Sequence, residues 1–88
     1  MEEIIWDKLA RENFEQILAK VPVFLRSTAQ KKVSQKAENN ARSENRGEIT
    51  QKDVVDAFFM ATPFGFHGPM KMDMEALGID YKKYGYEK

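Results

Sequence analysis

The stretch Arg46-Gly47-Glu48-Ile49-Thr50-Gln51-Lys52-Asp53-Val54 decides the fold. Thr50 belongs to the residue types that satisfy the orphan amides of a helix start. Asp53, three positions on, completes a capping-box-like pair and sets a negative charge near the helix N-terminus. Ile49 and Val54 flank them in the places of a hydrophobic staple. A helix therefore runs from 51 to about 61, with Val54, Ala57, Phe58 and Ala61 inward and Val55 and Phe59 beside them. Thr62-Pro63 closes it. On the other side, Arg46-Gly47 reads as the end of a preceding helix, with a cation in the last turn and glycine where positive φ is favoured.

That preceding helix covers 23–46. Leu25, Ala29, Val33, Ala37 and Ala41 recur every four residues, a row of small side chains that lets another helix approach closely. At 1.5 Å per residue it spans roughly 36 Å, long for so short a chain. Its second half, Ala37 to Arg46, has alanines as its only apolar residues and is expected to be thinly covered, or covered by a partner. Pro22 has no amide hydrogen and disfavours helical geometry at Val21, so Val21-Pro22-Val23-Phe24-Leu25 is a hinge. Before it, residues 3–20 form an amphipathic helix with an apolar stripe of Ile5, Leu9, Phe14, Ile17, Leu18 and Val21. Three helices, short–long–short, predict an all-α domain over 3–62.

Residues 63–88 differ in kind. Pro63-Phe64-Gly65-Phe66-His67-Gly68-Pro69 holds two prolines, two glycines and three rings, which is turn chemistry. A short helix over 70–77 with Gly78 as its stop follows, then Tyr81, Tyr84 and Tyr86 among charges. This extension, rich in aromatic residues and methionine, is expected to fold back over the second half of helix two. Phe64 and Phe66 would anchor it while the tyrosine hydroxyls stay at the rim for a partner.

Composition bounds the chemistry. At 88 residues the chain buries only ~60–65% of its unfolded surface, enough for one modest core. With 42% apolar and 32% charged residues it is a globular composition. The absence of cysteine removes disulfides, thiolate metal sites and cysteine nucleophiles. No run approaches a membrane span, and Glu2 and Glu3 are not the basic start of a signal peptide, so a soluble, cytoplasmic chain is expected. Net charge is zero, yet residues 21–47 carry six bases against two acids. That basic stretch of helix two reads as a solvated face, with an acidic protein partner and then nucleic acid as the alternatives.

No catalytic constellation emerges. His67 is the single histidine and has no acid–base neighbour at a defined spacing. Met60, Met70, Met72 and Met74 near it suggest a haem or copper pairing, but methionine is also an adaptable core filler, so the structural reading stands and no cofactor or metal is expected. The chain is expected to be no enzyme and to act by binding. The residues singled out for a protein partner are Phe64, Phe66, Tyr81, Tyr84, Arg26, Lys32 and Lys36.

Two resemblances carry further expectations. Trp6, Ala10, Leu18, Val21-Pro22-Val23-Phe24-Leu25-Arg26, Ala37, Ile49-Thr50 and Ala57 resemble the small C-terminal domain of the B subunit of light-independent (dark-operative) protochlorophyllide reductase. That domain leads from a tryptophan and leucines into an I/V-P-x-F-x-R stretch, a charged helix with alanines, and an I-T start to its last helix. The resemblance covers about residues 6–57. It implies a helical accessory domain, related to chlorophyll biosynthesis, whose parent enzyme's clusters and substrate pockets lie elsewhere. The second resemblance is to a histone fold, carried by the long alanine-bearing helix and by Arg46-Gly47-Glu48-Ile49-Thr50-Gln51-Lys52-Asp53. It implies an arginine–aspartate clamp of the loop, a homodimer made by crossing the long helices, and DNA binding through the basic face.

Overall fold

The helix that Thr50 caps, α3 (Gln51–Ala61), lies at the centre of the molecule. Asp53, Val54, Val55, Ala57, Phe58 and Phe59 are all buried, covering most of its circumference, as befits a helix surrounded by others. The computed structural model describes residues 4–86; Glu2, Glu3, the expected helix start at residue 3 and the last two tail residues lie outside them. Ahead of α3 come β1 (Ile5–Trp6), α1 (Lys8–Leu18), α2 (Val23–Ser43) and β2 (Glu48–Ile49). A 3-10 turn (Phe64–Phe66), α4 (His67–Ala76) and a second 3-10 turn (Tyr81–Tyr84) follow. The domain is all-α, with four α-helices among the described residues. None of them is long and apolar enough to cross a membrane.

The first helix begins later than its apolar spacing suggests. Residues 5–6 are a strand, paired in parallel with β2 so that Ile5 faces Glu48 and Trp6 faces Ile49. The Ile5 amide donates to Gly47 O and the Asp7 amide to Ile49 O, both at 2.9 Å, and these bonds replace a helical first turn. The buried stripe of α1 is accordingly Ala10, Asn13, Phe14, Ile17 and Leu18, while Ile5 and Leu9 are exposed. Trp6 packs on Phe14 with ring centroids 4.9 Å apart.

The long helix ends at Ser43 and not at Arg46. Asn45, with φ of 57°, takes the left-handed position expected of Gly47. Its amide donates to Arg42 O and the Arg46 amide to Ala41 O, the bond pair of a Schellman end. Asparagine is the side chain that tolerates this conformation best after glycine. The second half of α2 is well covered after all: Val33, Ala37 and Ala41 are buried, and α2 packs chiefly on α3 of the same chain. The row of small residues is thus filled in cis. At the other end, Val23, Phe24 and Leu25 in the first turns of α2 are exposed.

The tail folds chiefly onto α3 rather than the second half of α2: Tyr81 and Tyr86 lie against Phe59, and Tyr84 and Tyr86 bond to Gln51 and Asp56. Its helix starts at His67, earlier than the turn-rich sequence suggests, because Pro69 falls in the first turn where its missing amide is no loss. Gly78, with φ of 75°, ends α4 in a second Schellman arrangement: the Ile79 amide donates to Met74 O at 2.9 Å. Met70, Met74, Ile79 and Tyr81 join the main core cluster.

Candidate interaction surface

The side chains that sequence alone offers to a partner separate into two groups, those used within the chain and those left on the surface. Arg26 is used. From the second turn of α2 it reaches back across the Pro22 hinge to the end of α1. Its Nε donates to Leu18 O at 3.0 Å, and one Nη to Ala19 O at 3.2 Å and Val21 O at 2.8 Å. Helix ends leave carbonyls short of partners, and Arg26 supplies donors to three at and just past the end of α1, Leu18 O among them also accepting the Val21 amide at 3.0 Å. The arginine of Val-Pro-Val-Phe-Leu-Arg is therefore a cap for the preceding helix. Arg26→Ala is expected to cost about 1–2 kcal/mol, since water reaches these half-exposed carbonyls and replaces part of what is lost; a melting experiment checks it.

Arg46 and Asp53 form the clamp that holds the α2–α3 loop. Arg46 Nη1 lies 2.7 Å from Asp53 Oδ2 and Nη2 2.6 Å from Oδ1, a bidentate pair. The same arginine donates to Glu44 Oε1 and to Glu48 O. Asp53 also accepts the Thr50 amide at 2.8 Å and the Thr50 hydroxyl at 3.2 Å, so the carboxylate half of the capping box is the well-formed half. Burial is the largest single influence on Asp53 and acts to raise its pKa. The Arg46 hydrogen bonds, the Thr50 amide and the guanidinium charge together outweigh it and hold the carboxyl below its ordinary range. The Asp53 hydrogen bond first, and that of Glu44 second, raise Arg46.

The tyrosines serve the fold. Tyr81 is buried and its hydroxyl donates to Glu75 at 2.7 Å; Tyr84 donates to Gln51 Oε1 at 2.6 Å. Gln51 Nε2 in turn donates to the buried Asn13 on α1 at 2.8 Å, so an amide relay ties the tail to the first helix. Tyr86 stacks on Phe59 with centroids 3.9 Å apart and donates to Asp56 at 2.5 Å. Burial first, and this bond second, push its phenol above the ordinary value. His67 Nε2 faces two carbonyls, Thr62 O at 2.8 Å and Phe59 O at 3.2 Å, so that nitrogen carries the proton and caps the end of α3. Among the described residues no group of three or more potential metal-ligating side chains converges.

What remains on the surface is the reverse of the expected tail. Phe64 and Phe66 do not anchor it: they are 87% and 64% exposed, on the 3-10 turn that Pro63 and the His67 bonds hold in place. Phe24 is 80% exposed at the start of α2. A turn-rich sequence says nothing about which of its rings point inward, and the hinge reading of Val23-Phe24-Leu25 likewise leaves their exposure undetermined. Lys32 and Lys36 lie on α2, with Gln35 and Asn39, along one wall of an open hollow of about 350 Å³ whose other wall is Met60 and Ala61.

Phe64, Phe66, Lys32 and Lys36 thus stay available, whereas Arg26, Tyr81 and Tyr84 are held inside the fold. No curated protein and no solved structure matches the chain. Residues 2–87 match the family described as "Protein of unknown function (DUF2621)", and the chain belongs to that family.

Proposed function

We propose that this domain is a non-catalytic helical accessory module that acts by binding a partner protein, as the resemblance to the C-terminal domain of light-independent protochlorophyllide reductase implies. The observation that carries the reading is the exposure of Phe64 and Phe66 on a short, pinned turn. Aromatic and methionine side chains are the types enriched at protein interfaces, and a turn held by hydrogen bonds lowers the cost of ordering them. The residues behind the family resemblance have internal roles: Arg26 caps α1, and Ala37 and Ala57 are buried. They serve this chain's own fold and leave the partner to be found by experiment.

The test is a pull-down from the native host with the wild type and with Phe64→Ser/Phe66→Ser. Both side chains are exposed, so the variant's stability is expected to stay within about 0.5 kcal/mol of the wild type, while the retained partner disappears. Equal recovery on both baits would end the proposal for this surface.

The Arg46–Asp53 clamp favours a second reading, a histone-fold-like dimer that binds DNA. The covered alanine row stands against the helix crossing that such a dimer needs. Nanomolar binding in a gel shift at physiological salt would put this reading first.

A further inference from the structure

The hollow between α2 and the end of α3 has two chemically different walls. On the α2 side, Lys32 and Lys36 stand one helical turn apart, with the amides of Gln35 and Asn39 alongside. On the α3 side are Met60, 59% exposed, and Ala61. Arg26, Arg46 and Lys52 are each engaged by carbonyls or carboxylates of the chain. Lys32 and Lys36 differ from them: neither forms an ion pair with any described residue. Leu25, partly exposed, lies seven residues before Lys32 and extends the same stripe of α2 toward the apolar start of that helix.

We infer that this hollow is a docking site for an acidic amphipathic helix of a partner protein. Two ammonium groups one turn apart, about 6 Å along the axis, match carboxylates at i and i+4 of a second helix. Met60 is an adaptable apolar contact for that helix's other face. The zero net charge of the chain supplies no general attraction for polyanions, so recognition rests on the local pair of cations together with the apolar wall. The inference depends on the interaction-domain reading above and specifies the chemistry of its partner.

A fluorescent synthetic helical peptide with Glu at i and i+4 on one face and Leu on the other is the probe. Its Lys-for-Glu counterpart is the control. Anisotropy is expected to show binding of the acidic peptide alone, weakening as salt is raised. Amide shifts in the labelled protein are expected at Lys32, Gln35, Lys36 and Met60. Lys32→Glu/Lys36→Glu should lose affinity roughly tenfold or more and gain binding to the Lys peptide, since reversal turns attraction into repulsion. Lys32→Gln/Lys36→Gln, neutral and close in shape, should fall between. The proposal is overturned if the acidic peptide fails to bind, if it binds the reversed variant equally, or if duplex DNA displaces it from this face at physiological salt. Partner recovery that persists in the pull-down while the peptide fails would spare the interaction reading and remove this site. Loss of both would remove both.

Discussion

Asp53→Ala is expected to lower stability by about 2–4 kcal/mol, and the melting midpoint by roughly 10–25 °C for a domain of this size. Asp53 is 1% exposed, and its carboxylate receives both terminal nitrogens of Arg46 and the Thr50 amide. Without it, an amide at the start of α3 has no partner and Arg46 keeps only Glu44 and a carbonyl. Removing one member of a fully buried pair costs more, but Arg46 reaches solvent and recovers part of its hydration. Thr50→Ala leaves the backbone amide bonded to Asp53 and is expected to cost less, about 0.5–1 kcal/mol.

The same clamp predicts a pH dependence. Folding lowers the Asp53 pKa from its ordinary 3.8, so the folded state binds fewer protons there than the unfolded chain. The resulting stability is fully present above the unfolded value and is lost as pH falls through the lower folded value. Wild type and Asp53→Ala should therefore differ most near neutrality and converge as pH drops below 3.8. Urea midpoints measured across that range check it; a constant gap would mean the carboxylate charge is not what Asp53 contributes.

Truncation after Thr62 is expected to abolish cooperative folding. It removes Met70, Met74, Ile79 and Tyr81 from the core cluster and uncovers Phe59, which stacks on Tyr86. Each buried side chain of this size is worth ~1.5–3 kcal/mol, and together they rival the ~5–15 kcal/mol by which a whole domain is stable. It also removes the Tyr84–Gln51–Asn13 relay, leaving buried Asn13 on α1 without the Gln51 orientation that Tyr84 fixes. A calorimetric scan with no transition, or aggregation on cooling, is the expected result. Melting like that of the full chain would show that the tail is an appendage.

The parts legible in the sequence are those written locally. Pro22 marks a boundary through its own covalent geometry, and Thr50 with Asp53 marks a helix start through neighbouring side chains. Gly78 stops α4 where the pattern placed a stop. The shifted ends have equally physical causes. Strand pairing of Ile5–Trp6 with a segment more than forty positions away is not encoded in the first helix's own period. Asn45 outcompetes Gly47 because the Schellman bonds close two residues earlier. The site is less legible still. Arg26 and the lysines are all cations on one helix, yet only Arg26 bonds to the carbonyls at and just past the end of α1. The tail offers phenylalanines and tyrosines, and hydroxyl partners on α3 and α4 draw the tyrosines in: Gln51, Asp56 and Glu75 each accept one. Phe64 and Phe66 remain outside although Phe14, Phe58 and Phe59 are buried, so ring type alone does not assign a phenylalanine to the core.

Hydroxyl-radical footprinting of the domain, free and with the partner it retains from the host, tests most directly that the phenylalanines bind while the tyrosines hold the fold. In the free protein Phe64, Phe66 and Met60 should label readily and Met74 and Tyr81 should resist, in keeping with their exposure. On partner binding the first three should become protected, with Met74 and Tyr81 unchanged. Equal labelling of Phe64 and Phe66 in the free and bound states, or ready labelling of Tyr81 in the free protein, would contradict the account.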